Sequence, residues 1–170
     1  MFSSVINAFF ENPEPECLIL VHPDIQHLRK AEEKILTDNQ IVCLRIGKEL
    51  SSALLTTPQA QRSRAARQWL ETALREKAPG PILCSDVDLL FEPSLDLDPM
   101  LLFRQISRHT RLLVLWPGTH EDGVLAYAVP EHRHYRTWRQ PQVAVIVPVI
   151  VRCTDESNQF ITNGIGSFSW

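Results

Sequence analysis

The chain has 170 residues, 44% of them hydrophobic and 22% charged, with a net charge of −3. This length suits one domain with a full core, and the composition is ordinary for a globular protein. The charge balance excludes a global pull toward nucleic acid or acidic membranes, so any basic site has to be local, and no stretch approaches the ~20 apolar residues of a membrane span.

In chain order, residues 3–10 read as a short helix, stopped by Asn-Pro-Glu-Pro-Glu at 12–16. Cys17–Val21 is an apolar run and the first expected strand. Ile25, Leu28, Ala31, Ile35 and Leu36 then recur at helical spacing, with Arg29, Lys30, Glu32, Glu33 and Lys34 on the other face. Ile41–Ile46 is the second expected strand. Gly47 leads into a helix that begins at Lys48 and is ended by Thr56-Thr57-Pro58. A longer helix spans about 60–77, with Ala66, Trp69, Leu70, Ala73 and Leu74 as its buried stripe.

The breaker Pro79-Gly80-Pro81 precedes the third strand, all or part of Ile82–Phe91. A helix follows near 98–108. The fourth strand, Arg111–Trp116, is closed by Pro117-Gly118, and Val124–Val129 and Val143–Val147 read as further strands. Strands alternating with helices predict an α/β fold, with a mostly parallel sheet and helices on both faces. Ligands bind such sheets at the carboxyl ends of the strands. Residues 1–148 are expected to form the single domain. Residues 149–170 differ in composition and read as a C-terminal extension, either an added hairpin or a mobile tail.

The segment 17–36 has the strand–turn–helix spacing of a phosphate-binding loop, without its chemistry. Such a loop needs glycines so that backbone N–H groups can close around phosphates, a lysine for the outer phosphates, and Ser or Thr for magnesium. No glycine lies between Val21 and Lys30. With the motif laid from His22, Leu28 falls on the lysine position and Arg29 on the Ser/Thr position. If nucleotide binds at all, His22, His27, Arg29 and Lys30 are the candidate contacts, with ATP and magnesium as the cofactors.

Asp86 and Asp88 follow the third strand. Either they are the acids of a degenerate Walker B strand, or they cap helices and hold loops. Ser85 stands where the first acid would be expected. The run His132-Arg133-His134-Tyr135-Arg136-Thr137-Trp138-Arg139 interleaves cations with aromatics, as contacts to phosphates and unstacked bases require. If the run is extended, His132, His134 and Arg136 share one face, and Arg133, Tyr135 and Thr137 the other. The bland alternative is an edge strand whose aromatics prop the sheet. His132 and His134 are too few ligands for zinc, so no metal is expected. Arg62, Arg64 and Arg67 are either a solvated helix start or a contact for acidic groups.

Cys17, Cys43 and Cys84 sit in apolar runs, and no two cysteines are spaced as zinc ligands. They read as buried reduced thiols of a cytosolic protein. Phe-Ser-Ser-Val-Ile at the start lacks the basic residues and long apolar run of a secretory signal, so a cytoplasmic location is expected.

Five segments taken together carry a resemblance: residues 44–58, Asp88–Pro93, Asp98–Arg108, Leu113–Gly118 and Leu125–Arg136. In order and spacing they are similar to the BrxF family, the small P-loop proteins of type 3 BREX phage-exclusion systems. The likeness covers roughly residues 17–147. It implies a P-loop NTPase-like core of the AAA/RecA kind without a lid. It also implies partners among the other BREX components: the large ATPase, the methyltransferase or the phosphatase-like protein. The family's glycine-rich loop is replaced here by His22–Arg29, and its acidic strand end aligns with Ser85. Only Asp88 carries over as a Walker-type residue.

The expectation is therefore a non-catalytic or weakly nucleotide-binding adaptor in anti-phage defence. It would dock through the vacated cleft edge, comprising the start of the 24–36 helix, Asp86, Asp88 and Trp116-Pro117-Gly118, with Arg62, Arg64 and Arg67 as charged rim. One alternative is an active small ATPase with a divergent loop. Another is a nucleic-acid module, with DNA contacted through Arg133, Tyr135, Arg136, Trp138 and Arg139.

Overall fold

The computed structural model describes residues 2–14, 16–150 and 160–162. The elements are α1 (Phe2–Glu11), β1 (Cys17–His22), α2 (Ile25–Asp38), β2 (Val42–Arg45), α3 (Ile46–Leu54), α4 (Gln59–Arg75), β3 (Ile82–Ser85), α5 (Pro99–Ile106), β4 (Leu112–Glu121), β5 (Val124–Tyr127), β6 (Arg136–Arg139), β7 (Ala144–Ile146), β8 (Pro148–Ile150) and β9 (Phe160–Thr162). Short 3-10 turns at Asp88–Phe91 and Pro93–Leu95 join β3 to α5.

A seven-stranded sheet carries the fold. Its parallel part runs β2-β3-β4-β1-β7, and β5 and β6 extend it antiparallel from the far end of β4. Parallel strands covered on both faces must be apolar at nearly every position, and β1, β3 and the first half of β4 are. Alternate side chains serve opposite faces. Cys17, Ile19, Val21, Ile82, Cys84, Val114 and Trp116 pack with α3, α4 and α5. Leu18, Leu20, Leu83, Leu113 and Leu115 pack with α1 and α2.

Several boundaries differ from the expected ones. Gly47 lies inside α3, because that helix begins at Ile46, directly after β2. The third strand is the first part of its expected run, Ile82–Ser85, and Asp88–Phe91 coils into a 3-10 turn that buries Leu90 and Phe91. The fourth strand is not closed by Pro117-Gly118. It continues to Glu121 because Gly118 pairs with Tyr127 across the β4–β5 hairpin, where a Cβ would stand 1.9 Å from the Ala126 carbonyl oxygen. Trp116 Nε1 donates to that same oxygen at 3.0 Å.

Of the expected C-terminal extension, 149–170, only residues 149–150 and 160–162 are described. Residues 148–150 pair antiparallel with 160–162, while 151–159 and 163–170 lie outside the described residues. Among the described residues, no helix is long and apolar enough to cross a membrane.

Candidate functional site

At the carboxyl ends of β1, β3 and β4 a cleft of about 350 Å³ opens. Helix α2 leaves β1 toward one face of the sheet, and the chain after β3 leaves toward the other. The cleft lies between them, where an α/β sheet binds its ligands. Ile25, Leu28 and Arg29 line it from α2, Lys48 from α3, and Asp86 and Asp88 from the segment after β3.

The β1–α2 turn is filled by its own side chains. Asp24 caps α2, and its Oδ1 accepts from the Gln26 N–H at 2.8 Å. The Asp24 N–H donates in turn to His22 Nδ1 at 2.9 Å. Residue 23 is proline and has no N–H to offer. The other Asp24 oxygen pairs with His27 Nδ1 at 2.7 Å, and the rings of His22 and His27 stand 4.4 Å apart. A helix N-terminus attracts an anion because its first N–H groups are unsatisfied and the dipole is positive there. Here the anion is the chain's own carboxylate.

The charges agree with that geometry. The Asp24 carboxyl is held below its usual range, first by the Gln26 N–H and then by His27. Partial burial, and then the neighbouring His27, lower the pKa of His22. A neutral His22 keeps the Nδ1 lone pair that the Asp24 N–H requires.

Asp86 does the same for α3. Its backbone is left-handed, with φ of 54°. Its carbonyl accepts from the Gly47 N–H at 2.7 Å, and its Oδ2 from the Lys48 N–H at 3.0 Å. A Cβ on Gly47 would stand 2.6 Å from that Oδ2, so the close approach requires glycine. Asp88 accepts from the Tyr127 hydroxyl at 2.9 Å. Burial first, and Asp88 second, raise the pKa of that phenol. Both acids therefore cap or hold protein groups.

Glu32, on the cleft side of α2, was read from sequence only as part of a polar face. Its Oε1 accepts from Arg45 Nε at 2.9 Å, Ser85 Oγ at 3.2 Å and Cys43 Sγ at 3.5 Å. Ser85 thus sits where an acid was expected, and it donates to an acid from another element. The alternation that signals a helix face carries no sign of such a contact, because Cys43 and Ser85 come from separate strands.

Of the four candidate nucleotide contacts, only Arg29 lines the cleft; His22 and His27 complete the β1–α2 turn, and Lys30 is exposed along α2. Arg62, Arg64 and Arg67 lie exposed on α4, and none lines the cleft. Arg62 Nε donates back to the Thr57 carbonyl at 3.1 Å. The rim role expected of these three is therefore not met at the cleft.

The 132–139 run is not one extended strand, because only Arg136–Arg139 pairs, with β5. The two-faced alternation holds along β6, where Arg136 and Trp138 are half-buried and Thr137 and Arg139 exposed. Trp138 stands edge-on to Trp116 at 5.2 Å and to Phe91 at 5.9 Å, and its Nε1 donates to Asp98. The guanidinium of Arg136 lies over Trp138 and donates to the Leu97 carbonyl at 2.7 Å. These two residues prop the sheet. Arg133, Tyr135 and Arg139 face solvent.

Cys17 and Cys84 are buried and Cys43 half-buried, all three as free thiols. Burial pushes the Cys17 thiol up to about 12 and Cys84 well above the usual thiol value. Among the described residues, no group of three or more His, Cys, Asp or Glu side chains is placed to hold a metal ion. Comparison with protein-family models, with characterised proteins and with solved structures finds no match for this chain.

Proposed function

We propose that this domain is a P-loop NTPase-like subunit that has given up nucleotide chemistry and serves as a cytoplasmic adaptor in a BREX-like anti-phage system. The observation that carries the reading is Asp24 at the N-terminus of α2. A bound phosphate would have to displace a carboxylate that already has the Gln26 N–H and His27 as partners. The turn also spends its own N–H of Asp24 on His22. Asp86, where a magnesium-holding acid would be sought, is occupied as the cap of α3.

Function then resides in the surface, because a fold alone confers none. The cleft mouth is the surface favoured, since Ile25 stands 47% exposed beside it. The partners are, by the family resemblance, the large ATPase, the methyltransferase or the phosphatase-like protein. A second reading, a small ATPase with a divergent loop, draws on Arg29 and Lys48, two cations that face the cleft.

The test is co-expression with those three proteins of a type 3 BREX system. Wild type is expected to hold at least one of them through size exclusion. Ile25→Asp is expected to lose it at an unchanged melting temperature. A chain that holds none of the three and hydrolyses ATP would overturn the adaptor reading.

A further inference from the structure

Charge is unevenly spread along the chain, whose net charge is −3. Residues 59–77 and 99–109, which hold α4, α5 and the turns that follow them, carry seven Lys or Arg residues against two acids, Glu71 and Glu76. Arg64, Arg67, Glu71 and Arg75 recur every three or four residues, so they share one stripe of α4. The three arginines are exposed, and Arg75 shares a hollow of about 290 Å³ with Arg108, which follows α5. Among the described residues, the side chains of these four arginines have neither an ion pair nor a hydrogen bond. Glu71 is the one acid along the stripe and lining the hollow, so the face is net positive with no ion pair to subtract. Arg75, in the last turn of α4, is favoured there by the helix dipole. Arg64 and Arg67 stand one turn apart and repel each other, so the helix gains nothing from their charge.

We propose that this α4–α5 face binds the phosphate backbone of double-stranded DNA. The proposal goes beyond the adaptor reading and does not depend on it, because none of these arginines lines the cleft. From Arg64 to Arg75 the stripe runs about 16 Å along the helix, a length in which duplex DNA carries roughly nine phosphate charges. All four cations are arginines, whose planar guanidinium meets a phosphate with two parallel hydrogen bonds. An acidic protein fits less well. A stable protein interface has an apolar core, and none of the exposed large apolar side chains lies on α4. Single strands fit less well too, because they are held by stacking on exposed aromatics. The one aromatic of α4, Trp69, packs against the core. Contacts confined to phosphates fix position without reading sequence.

The probe is a fluorescein-labelled DNA duplex of about 20 base pairs, followed by anisotropy between about 50 and about 200 mM salt. Wild type is expected to bind, with log affinity falling against log salt at a slope of about −3.6, the value for four neutralised phosphates. The pair Arg64→Gln, Arg67→Gln is expected to halve that slope. The pair Arg64→Glu, Arg67→Glu is expected to weaken binding at low salt at least about tenfold. The pair Arg133→Glu, Arg139→Glu makes the same change in net charge at the β5–β6 hairpin, and it is expected to leave binding nearly unchanged. Thermal melts check folding, and the glutamine pair carries the test if the reversed pair does not fold.

Failure of wild type to bind the duplex at low salt, or indifference of slope and affinity to the α4 pairs, would each overturn the proposal. An equal loss in the Arg133, Arg139 pair would overturn it in favour of the 132–139 run. Tighter binding of a labelled deoxythymidine strand of the same length would overturn it in favour of single strands. Tighter binding of a labelled polyglutamate of the same length would overturn it in favour of an acidic protein.

Discussion

At Asp24 one side chain does what a bound anion would do, and the chemistry of its neighbours makes this pH-dependent. His22 must be neutral at Nδ1 to accept the Asp24 N–H. Its pKa is lowered from the ordinary 6.5, so the unfolded chain takes the proton more readily than the folded one. The stability it contributes is therefore complete above the unfolded value and is lost as pH falls through the lowered folded one. Asp24, also held low, acts in the same sense further into acid. The melting temperature is expected to fall between about pH 7 and pH 5, the range in which histidine titrates. His22→Asn, whose carboxamide oxygen can accept the same N–H without titrating, is expected to lose part of that slope. An unchanged slope in that variant would remove His22 from the account.

Gly47 is the second test at this scale. Alanine has the better helix propensity, by ~1 kcal/mol, yet its methyl would meet Asp86 at 2.6–2.8 Å. Overpacking of that kind costs about 1–3 kcal/mol. A urea titration is expected to show Gly47→Ala as the less stable protein, and a more stable one would mean that the Asp86 cap gives way freely.

At the scale of elements, α2 holds its place through Leu28, Ala31 and Ile35. Ile35 is buried against the sheet, so Ile35→Asp is expected to destabilise the domain by several kcal/mol, roughly 3 or more. His27→Ala, at an exposed turn, is expected to be nearly neutral to folding. A thermal melt unchanged by Ile35→Asp would contradict the assigned face. In the hairpin, Trp138→Ala is expected to cost about 2–3 kcal/mol, less than a fully buried tryptophan because β6 is half exposed. Arg133→Ala is expected to cost nothing measurable, and equal effects would restore the run as a solvent-facing array.

These elements also show what the sequence could and could not carry. The apolar runs of β1 and β4, and the 28/31/35 stripe, are periodic signals within one segment, and they were legible. The 132–139 run alternates aromatics and cations as a binding strand does, and equally as an edge strand whose aromatics prop the sheet, and composition alone does not choose between them. What fixes Trp138 inward is Phe91 and Trp116, which lie far away in sequence. The Glu32–Ser85–Cys43–Arg45 contact was illegible for the same reason, being assembled from α2, β2 and β3. Pro117-Gly118 reads as a strand end by local rules, yet pairing with β5 carries the strand through it.

For the molecule as a whole, sheet order brings the β1–α2 turn, the end of β3 and the start of α3 to one cleft. Side chains of the chain itself fill the positions where phosphates and metal would be sought. The most direct measurement is calorimetric titration of the wild-type protein with ATP in the presence of magnesium. The account predicts no binding heat, because Asp24 already occupies the N-terminus of α2. Micromolar affinity would contradict it.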